Sequence, residues 1–94
     1  MKVLLDPHHA APALRSAEPT VRKRLKAALR QLADDPSGLA SKLDVKRLDA
    51  EPGPPIYRLR IGEWRVAFTV EKTALVVLRI FHRSEGYGWL ADLP

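Results

Sequence analysis

Apolar and polar residues alternate along Ile56–Ile61 (IYRLRI) and again along Glu63–Val70 (EWRVAFTV), whereas Ala74–His82 (ALVVLRIFH) is an almost unbroken apolar run. A period of two marks a strand with one buried face, because successive side chains point to opposite sides. A continuous run marks a strand covered on both faces, so the third segment is expected at the centre of a sheet. Gly62-Glu63 joins the first two strands as a tight hairpin, with glycine where positive φ is needed, and Glu71-Lys72-Thr73 joins the second and third. Upstream the period changes to that of a helix. Val21, Leu25, Ala28, Leu29 and Leu32 form one stripe, Pro19 suits a first helical turn, and DDPSG ends the segment, so a helix is expected over 19–34.

The remaining stretches are shorter. KVLLD (2–6) reads as a strand stopped by Pro7, and PHHAAPALRSAE as a short helix disturbed by Pro12. Residues 36–55 mix apolar positions with turn signals and read as a loop with a short ordered piece around Leu43–Leu48, closed by EPGPP. The tail SEGYGWLADLP reads as a last short helix weakened by its glycines. The expected fold is α+β, one domain over 1–94. An N-terminal strand and two helices pack on one face of a mainly antiparallel sheet, and a short C-terminal helix follows.

Register then decides which side chains meet. A two-residue turn pairs Ile61 with Trp64, Arg60 with Arg65, Leu59 with Val66, Arg58 with Ala67 and Tyr57 with Phe68. One face becomes wholly apolar and the other carries Arg58, Arg60 and Arg65. Continuing to the third strand by matching Phe68 with Val76, Val66 with Leu78 and Trp64 with Ile80 puts Arg65 opposite Arg79. Leu75, Val77, Phe81 and Arg83 fall on that same face, while His82 points to the helix side. Like charges set directly opposite one another are unfavourable on a sheet. A row Arg60–Arg65–Arg79, flanked by Arg58 and Arg83, therefore points to a phosphate-rich ligand, whose oxygens match the planar donor fork of arginine.

Composition supports this and narrows the rest. Sixteen Lys and Arg against eleven Asp and Glu give a net charge of +5 over 94 residues, which favours a polyanionic partner. There is no cysteine, hence no disulfide framework and no thiolate metal site, in keeping with a reducing compartment. The apolar run in MKVLLDPHH is too short for a signal peptide and no segment has the length of a membrane span, so a cytoplasmic protein is expected. His8 and His9 are adjacent and no carboxylate pair has ligand spacing; no metal and no cofactor are expected. Arg22, Lys23, Arg24, Lys26 and Arg30 give the long helix a second basic surface; Arg22, Lys23, Lys26 and Arg30, with Arg79, are candidates for contact with RNA phosphates.

The order of elements, with YRLRIGEWRVAFTV followed by VVLRIFHR and a tyrosine shortly after, resembles the RelE/ParE superfamily of type II toxin–antitoxin toxins. The likeness covers nearly the whole chain. RelE-like members are metal-free, ribosome-dependent mRNA endonucleases; ParE-like members share the fold but act on DNA gyrase. By position, the nuclease motif of the family falls on Arg58, Arg60, Arg65, Arg83 and Tyr87, which implies the nuclease branch. The strand positions carry Arg where the best-known nucleases carry Lys, and the spacing from Arg83 to Tyr87 is shorter than in some relatives.

The resemblance further implies ribosome and mRNA as partners and a cognate antitoxin, in an assembly such as a toxin–antitoxin heterotetramer. The antitoxin is expected to displace the C-terminal element, where Trp89 and Leu90 would dock. Cleavage would proceed by attack of the RNA 2′-OH on the adjacent phosphorus, leaving a 2′,3′-cyclic phosphate. Arg65, Arg60 and Arg58 would grip phosphate, Arg83 would stabilise the leaving oxygen, and Tyr87 would be the general base. Arginine cannot manage the protons, which leaves Tyr87, with Glu85 and His82 as rivals. Gyrase inhibition and a non-catalytic nucleic-acid-binding module are the alternatives.

Overall fold

The computed structural model describes residues 1–48 and 54–89. Strand β1 (Lys2–Leu5) leads into helix α1 (Ala11–Ser16) and helix α2 (Pro19–Asp34). Strands β2 (Asp44–Leu48), β3 (Ile56–Ile61), β4 (Trp64–Glu71) and β5 (Ala74–His82) follow, and a single 3₁₀ turn covers Arg83–Glu85. They form one five-stranded sheet in the order β1-β5-β4-β3-β2, antiparallel except for β1, which runs parallel to β5. Among the described residues, no helix is long and apolar enough to cross a membrane.

The helices form for the reasons their sequences suggest. Pro12 and Pro19 both lie in first turns, where a missing N–H costs nothing, so Pro12 starts α1 instead of disturbing it. Ahead of α1, the Asp6 carboxylate accepts from the backbone N–H groups of His8 and His9, each at 2.8 Å. After α2, the Asp35 carboxylate accepts from the Ser37 hydroxyl at 2.7 Å and the Ala40 N–H at 2.8 Å, which organises the chain reversal. The α2 stripe buries Leu25, Ala28, Leu29, Leu32 and Ala33 against the sheet. Leu59, Val66, Phe68, Leu75 and Val77 answer from the strands, all fully buried.

Three expectations are refined. The short ordered piece expected around Leu43–Leu48 is an edge strand over Asp44–Leu48, paired antiparallel with β3 along its whole length. Its sequence, DVKRL, is too short and too charged to announce a strand; pairing with β3 supplies what local propensity does not. The strand buried on both faces is β4, where Arg65 through Thr69 are all buried, while β5 lies one place nearer the edge. Of the expected C-terminal helix, the described residues hold the 3₁₀ turn at Arg83–Glu85 and 3₁₀ geometry at Gly88 and Trp89; the remainder, Leu90 included, lies outside them.

The register between β4 and β5 differs from expectation at two points. Lys72-Thr73 makes a two-residue turn, Glu71 pairing with Ala74 and Lys72 adopting φ 49°, which moves the pairing by one residue. A bulge at Leu78 moves it by one more, so that Phe68 faces Val77 but Ala67 faces Arg79. On the turn side of the bulge the faces are inverted. Leu75 and Val77, expected on the arginine face, lie in the core beneath the helices. Beyond it parity is restored two residues out of step: Val66 pairs with Ile80, Trp64 with His82, and Arg65 with Phe81 instead of Arg79.

Candidate nucleic-acid interface

The β3–β4 hairpin has the expected pairing throughout, with Gly62 at φ 58° in the turn. Arg60 and Arg65 are therefore directly opposite each other on the sheet face turned away from the helices. Arg65 is 9% exposed, and its Nη1 donates to the carbonyls of Gly62 at 2.8 Å and Trp64 at 2.9 Å. A buried guanidinium must find acceptors, and these carbonyls fix its orientation. Arg60 is exposed. Among the described residues neither meets a carboxylate within salt-bridge distance.

The rest of the row is broken up. Phe81, opposite Arg65, forms a second apolar cluster on this face with Ile56 and Ala67, joined by Leu48, Leu78, Tyr87 and Trp89. The Tyr87 ring meets Phe81 edge-on at 5.2 Å, and Trp89 meets it at 5.6 Å. Arg79 keeps the predicted face but is displaced from Arg65, and its guanidinium lies 5.0 Å from the Trp89 ring centroid in a cation–π contact. The indole N–H of Trp89 is buried without a hydrogen-bond partner among the described residues.

Two predicted arginines are held by carboxylates. Arg58 pairs with Asp44 at 3.1 Å, a partner invisible to sequence reasoning because spacing alone does not place the Leu43–Leu48 piece against β3. Arg83 meets Glu63, both well exposed, and its backbone N–H donates to the Glu63 carbonyl at 2.8 Å. His82 lies on the helix side as expected, edge-on to Trp64 at 5.7 Å. Its ring accepts from the Ser84 N–H, and the Glu85 carboxylate accepts from the His82 N–H, so both proton-carrying rivals of Tyr87 are engaged in capping the 3₁₀ turn.

Arg22, Lys23, Lys26 and Arg30 stand on α2, which packs on the other side of the sheet from Arg60 and Arg65. Lys23, Lys26 and Arg30 are exposed. Arg22 is not a free cation: its Nη1 donates to the Arg15 carbonyl at 3.0 Å and ties α2 to α1.

The sequence model of the ParE toxin of type II toxin–antitoxin systems matches residues 8–87, most of the chain. The chain belongs to this toxin family. Toxin RelE3 of Methanocaldococcus jannaschii is 28% identical over 69 residues, covering 73% of this chain and 76% of that protein. The same fold appears in the RelB–RelE antitoxin–toxin complex from Methanococcus jannaschii, with TM-score 0.70 and 23% identity over 97% of this chain and 99% of that one. It appears again in the archaeal RelE–RelB complex from Pyrococcus horikoshii OT3, with TM-score 0.70 and 22% identity over 90% and 97%. The RelE/ParE toxin thus has the α+β architecture expected from its sequence.

Proposed function

We propose that this toxin is a ribosome-dependent mRNA endonuclease acting in the cytoplasm, and that a cognate antitoxin neutralises it. The observation that carries the reading is the Arg60–Arg65 pair. Two guanidiniums stand opposite each other one pair from the hairpin turn, with no carboxylate within salt-bridge distance of either among the described residues, an arrangement that an anion stabilises. The antitoxin rests on family membership, and two relatives of the same fold were solved as antitoxin–toxin complexes.

In this mechanism the RNA 2′-OH attacks the neighbouring phosphorus. Arg65, already oriented by backbone carbonyls, and the exposed Arg60 grip the scissile phosphate and stabilise the charge that grows on its oxygens. Arg58 holds the same or an adjacent phosphate, and Arg79 extends the cationic face. Arg83 exchanges Glu63 for the 5′-oxygen as the P–O5′ bond breaks, and water supplies the proton that completes the 5′-OH beside the 2′,3′-cyclic phosphate. Tyr87 takes the 2′-OH proton; its ring packs on Phe81, the residue opposite Arg65, which sets it beside the row. Lys23, Lys26 and Arg30 of α2 contact ribosomal RNA phosphates, with Arg22 bracing α1 behind them. An antitoxin that lifts Trp89 would uncover Arg79, and Trp89 and Leu90 would then dock on the antitoxin.

Inhibition of DNA gyrase is the second reading, favoured by the ParE model that matches the chain and by the carboxylates on Arg58 and Arg83. The deciding experiment is to induce the chain in cells and map mRNA 5′ ends, with Arg65→Ala alongside. In-frame cuts that fall by about a hundredfold or more in a folded Arg65→Ala variant are expected, the loss typical of one donor to a developing oxyanion. Absence of cuts with wild type, together with gyrase-linked DNA breaks that persist in Arg65→Ala, would overturn the nuclease.

A further inference from the structure

Arg24 stands on α2, yet its guanidinium reaches the tip of the β3–β4 hairpin. A Cβ built on Gly62 would lie 3.4 Å from one terminal nitrogen of Arg24 and 3.8 Å from the other. The same glycine is approached from the outer face, where Arg65 donates to its carbonyl at 2.8 Å. Two cations therefore converge on one residue from opposite sides of the sheet, and Arg60 stands beside them across from Arg65. Among the described residues, Arg24 has neither a salt-bridge partner nor a hydrogen-bond acceptor. Its own helix offers none nearby, because the only acid in α2 is Asp34 at its far end. The one carboxylate on the turn, Glu63, is engaged with Arg83.

An exposed arginine with free rotamers would normally swing away from such a gathering of positive charge. Its place over a side-chain-free, exposed turn leaves the donor edges open to an incoming anion. Gly62 and Glu63 are both exposed, so a small free anion finds no enclosure there. A polymer already held at Arg60 and Arg65 presents its next phosphate at high local concentration, and then a single guanidinium is enough.

We propose that the hairpin tip is a second phosphate subsite, in which Arg24, lying over Gly62, holds the RNA phosphate adjacent to the scissile one. The inference rests on the RNA-cleaving reading and adds the path of the strand. The RNA backbone crosses from the arginine face over the turn to Arg24. Gly62 owes its lack of a side chain to its left-handed backbone; an added Cβ would meet Arg24 only at ordinary contact distance.

The test measures binding of the full chain to a short 2′-O-methyl RNA, which cannot be cut, by fluorescence anisotropy over a salt series. Arg24→Ala is expected to weaken binding about three- to tenfold at low salt and to reduce the log–log salt slope by about 0.7, the value for one lost contact to single-stranded RNA. Arg24→Lys should restore most of the slope. Arg15→Ala removes the same charge from α1 and serves as the control, with its slope unchanged. Should Arg24→Ala behave like Arg15→Ala while Arg60→Ala weakens binding, the tip subsite is refuted and the nuclease reading survives. A wild-type chain without affinity for RNA at the lowest salt would remove the subsite, while the nuclease reading is decided separately by the mRNA 5′ ends. An Arg24→Ala variant that loses antitoxin but keeps its RNA affinity would assign the tip to the other partner and overturn the proposal.

Discussion

Glu63 is the one negative charge on the hairpin turn, and replacing it with glutamine isolates its effect. The change is isosteric, and the backbone bond from Arg83 N–H to the Glu63 carbonyl, 2.8 Å, does not involve the side chain. Both side chains are more than half exposed, so the ion pair contributes at most about 1 kcal/mol to stability. The melting temperature should barely move. RNA binding should respond more.

A phosphate held between Arg60 and Arg65 would sit about 7 Å from the lost carboxylate, where repulsion between unit charges is about 0.6 kcal/mol in water and about 2 kcal/mol at an effective dielectric constant near 20. At roughly 0.1 M salt, with a screening length of about 10 Å, half of that survives. Release of Arg83 to the ligand adds to it. Glu63→Gln is therefore expected to tighten binding to a non-cleavable RNA about two- to fivefold in low salt, read by anisotropy. The gain should shrink to nothing near 1 M salt, where the screening length is about 3 Å. An unchanged or weakened affinity at low salt, or a gain that salt leaves intact, would refute the placement of phosphate beside this turn.

Three further outcomes follow from the fold. Leu59→Ala empties a fully buried site in the middle of the core and should cost about 2–5 kcal/mol in chemical denaturation, with the midpoint shifted and the slope kept. Gly62→Ala forces a side chain to φ 58°; it should cost about 1–2 kcal/mol of stability, and a cost near zero would mean the turn relaxes freely. Asp6 and Asp35 are held below their ordinary 3.8, Asp6 chiefly by the His8 backbone N–H and Asp35 chiefly by the Ser37 hydroxyl. Lowered carboxylates stabilise the fold fully above that value and lose the contribution as pH falls through the folded pKa, so Asp6→Asn and Asp35→Asn should flatten the acid limb of stability below about pH 4 while leaving its shape at neutral pH unchanged.

What was legible in the chain was whatever a local period could encode. The α2 stripe, the β3–β4 hairpin and its register, and the shared face of Arg60 and Arg65 all follow from spacing within a few residues. What was hidden depended on distant partners. DVKRL becomes a strand only because β3 has a free edge, and only then does Asp44 reach Arg58. The docking of Trp89 over Arg79 depends on a chain reversal after β5 that has no sequence period at all.

The Leu78 bulge shows how such a hidden feature shapes the site. With the pairing expected from an unbroken ladder, Arg79 would oppose Arg65 and make a row of three like charges. The extra residue instead brings Phe81 opposite Arg65 and offsets Arg79 toward Trp89. Phe81, Tyr87 and Trp89 then cover the middle of the outer face, which buries β4 on both sides and takes Arg65 out of water. Desolvation obliges that guanidinium to seek the carbonyls of Gly62 and Trp64, so it stands fixed before any ligand arrives. Arg60, opposite but exposed, stays free to adjust. One rigid and one mobile cation across a strand pair is an arrangement that can hold a ground-state phosphate loosely and tighten as charge builds on its oxygens, and the aromatic cover bought by the bulge is what makes the two arginines unequal.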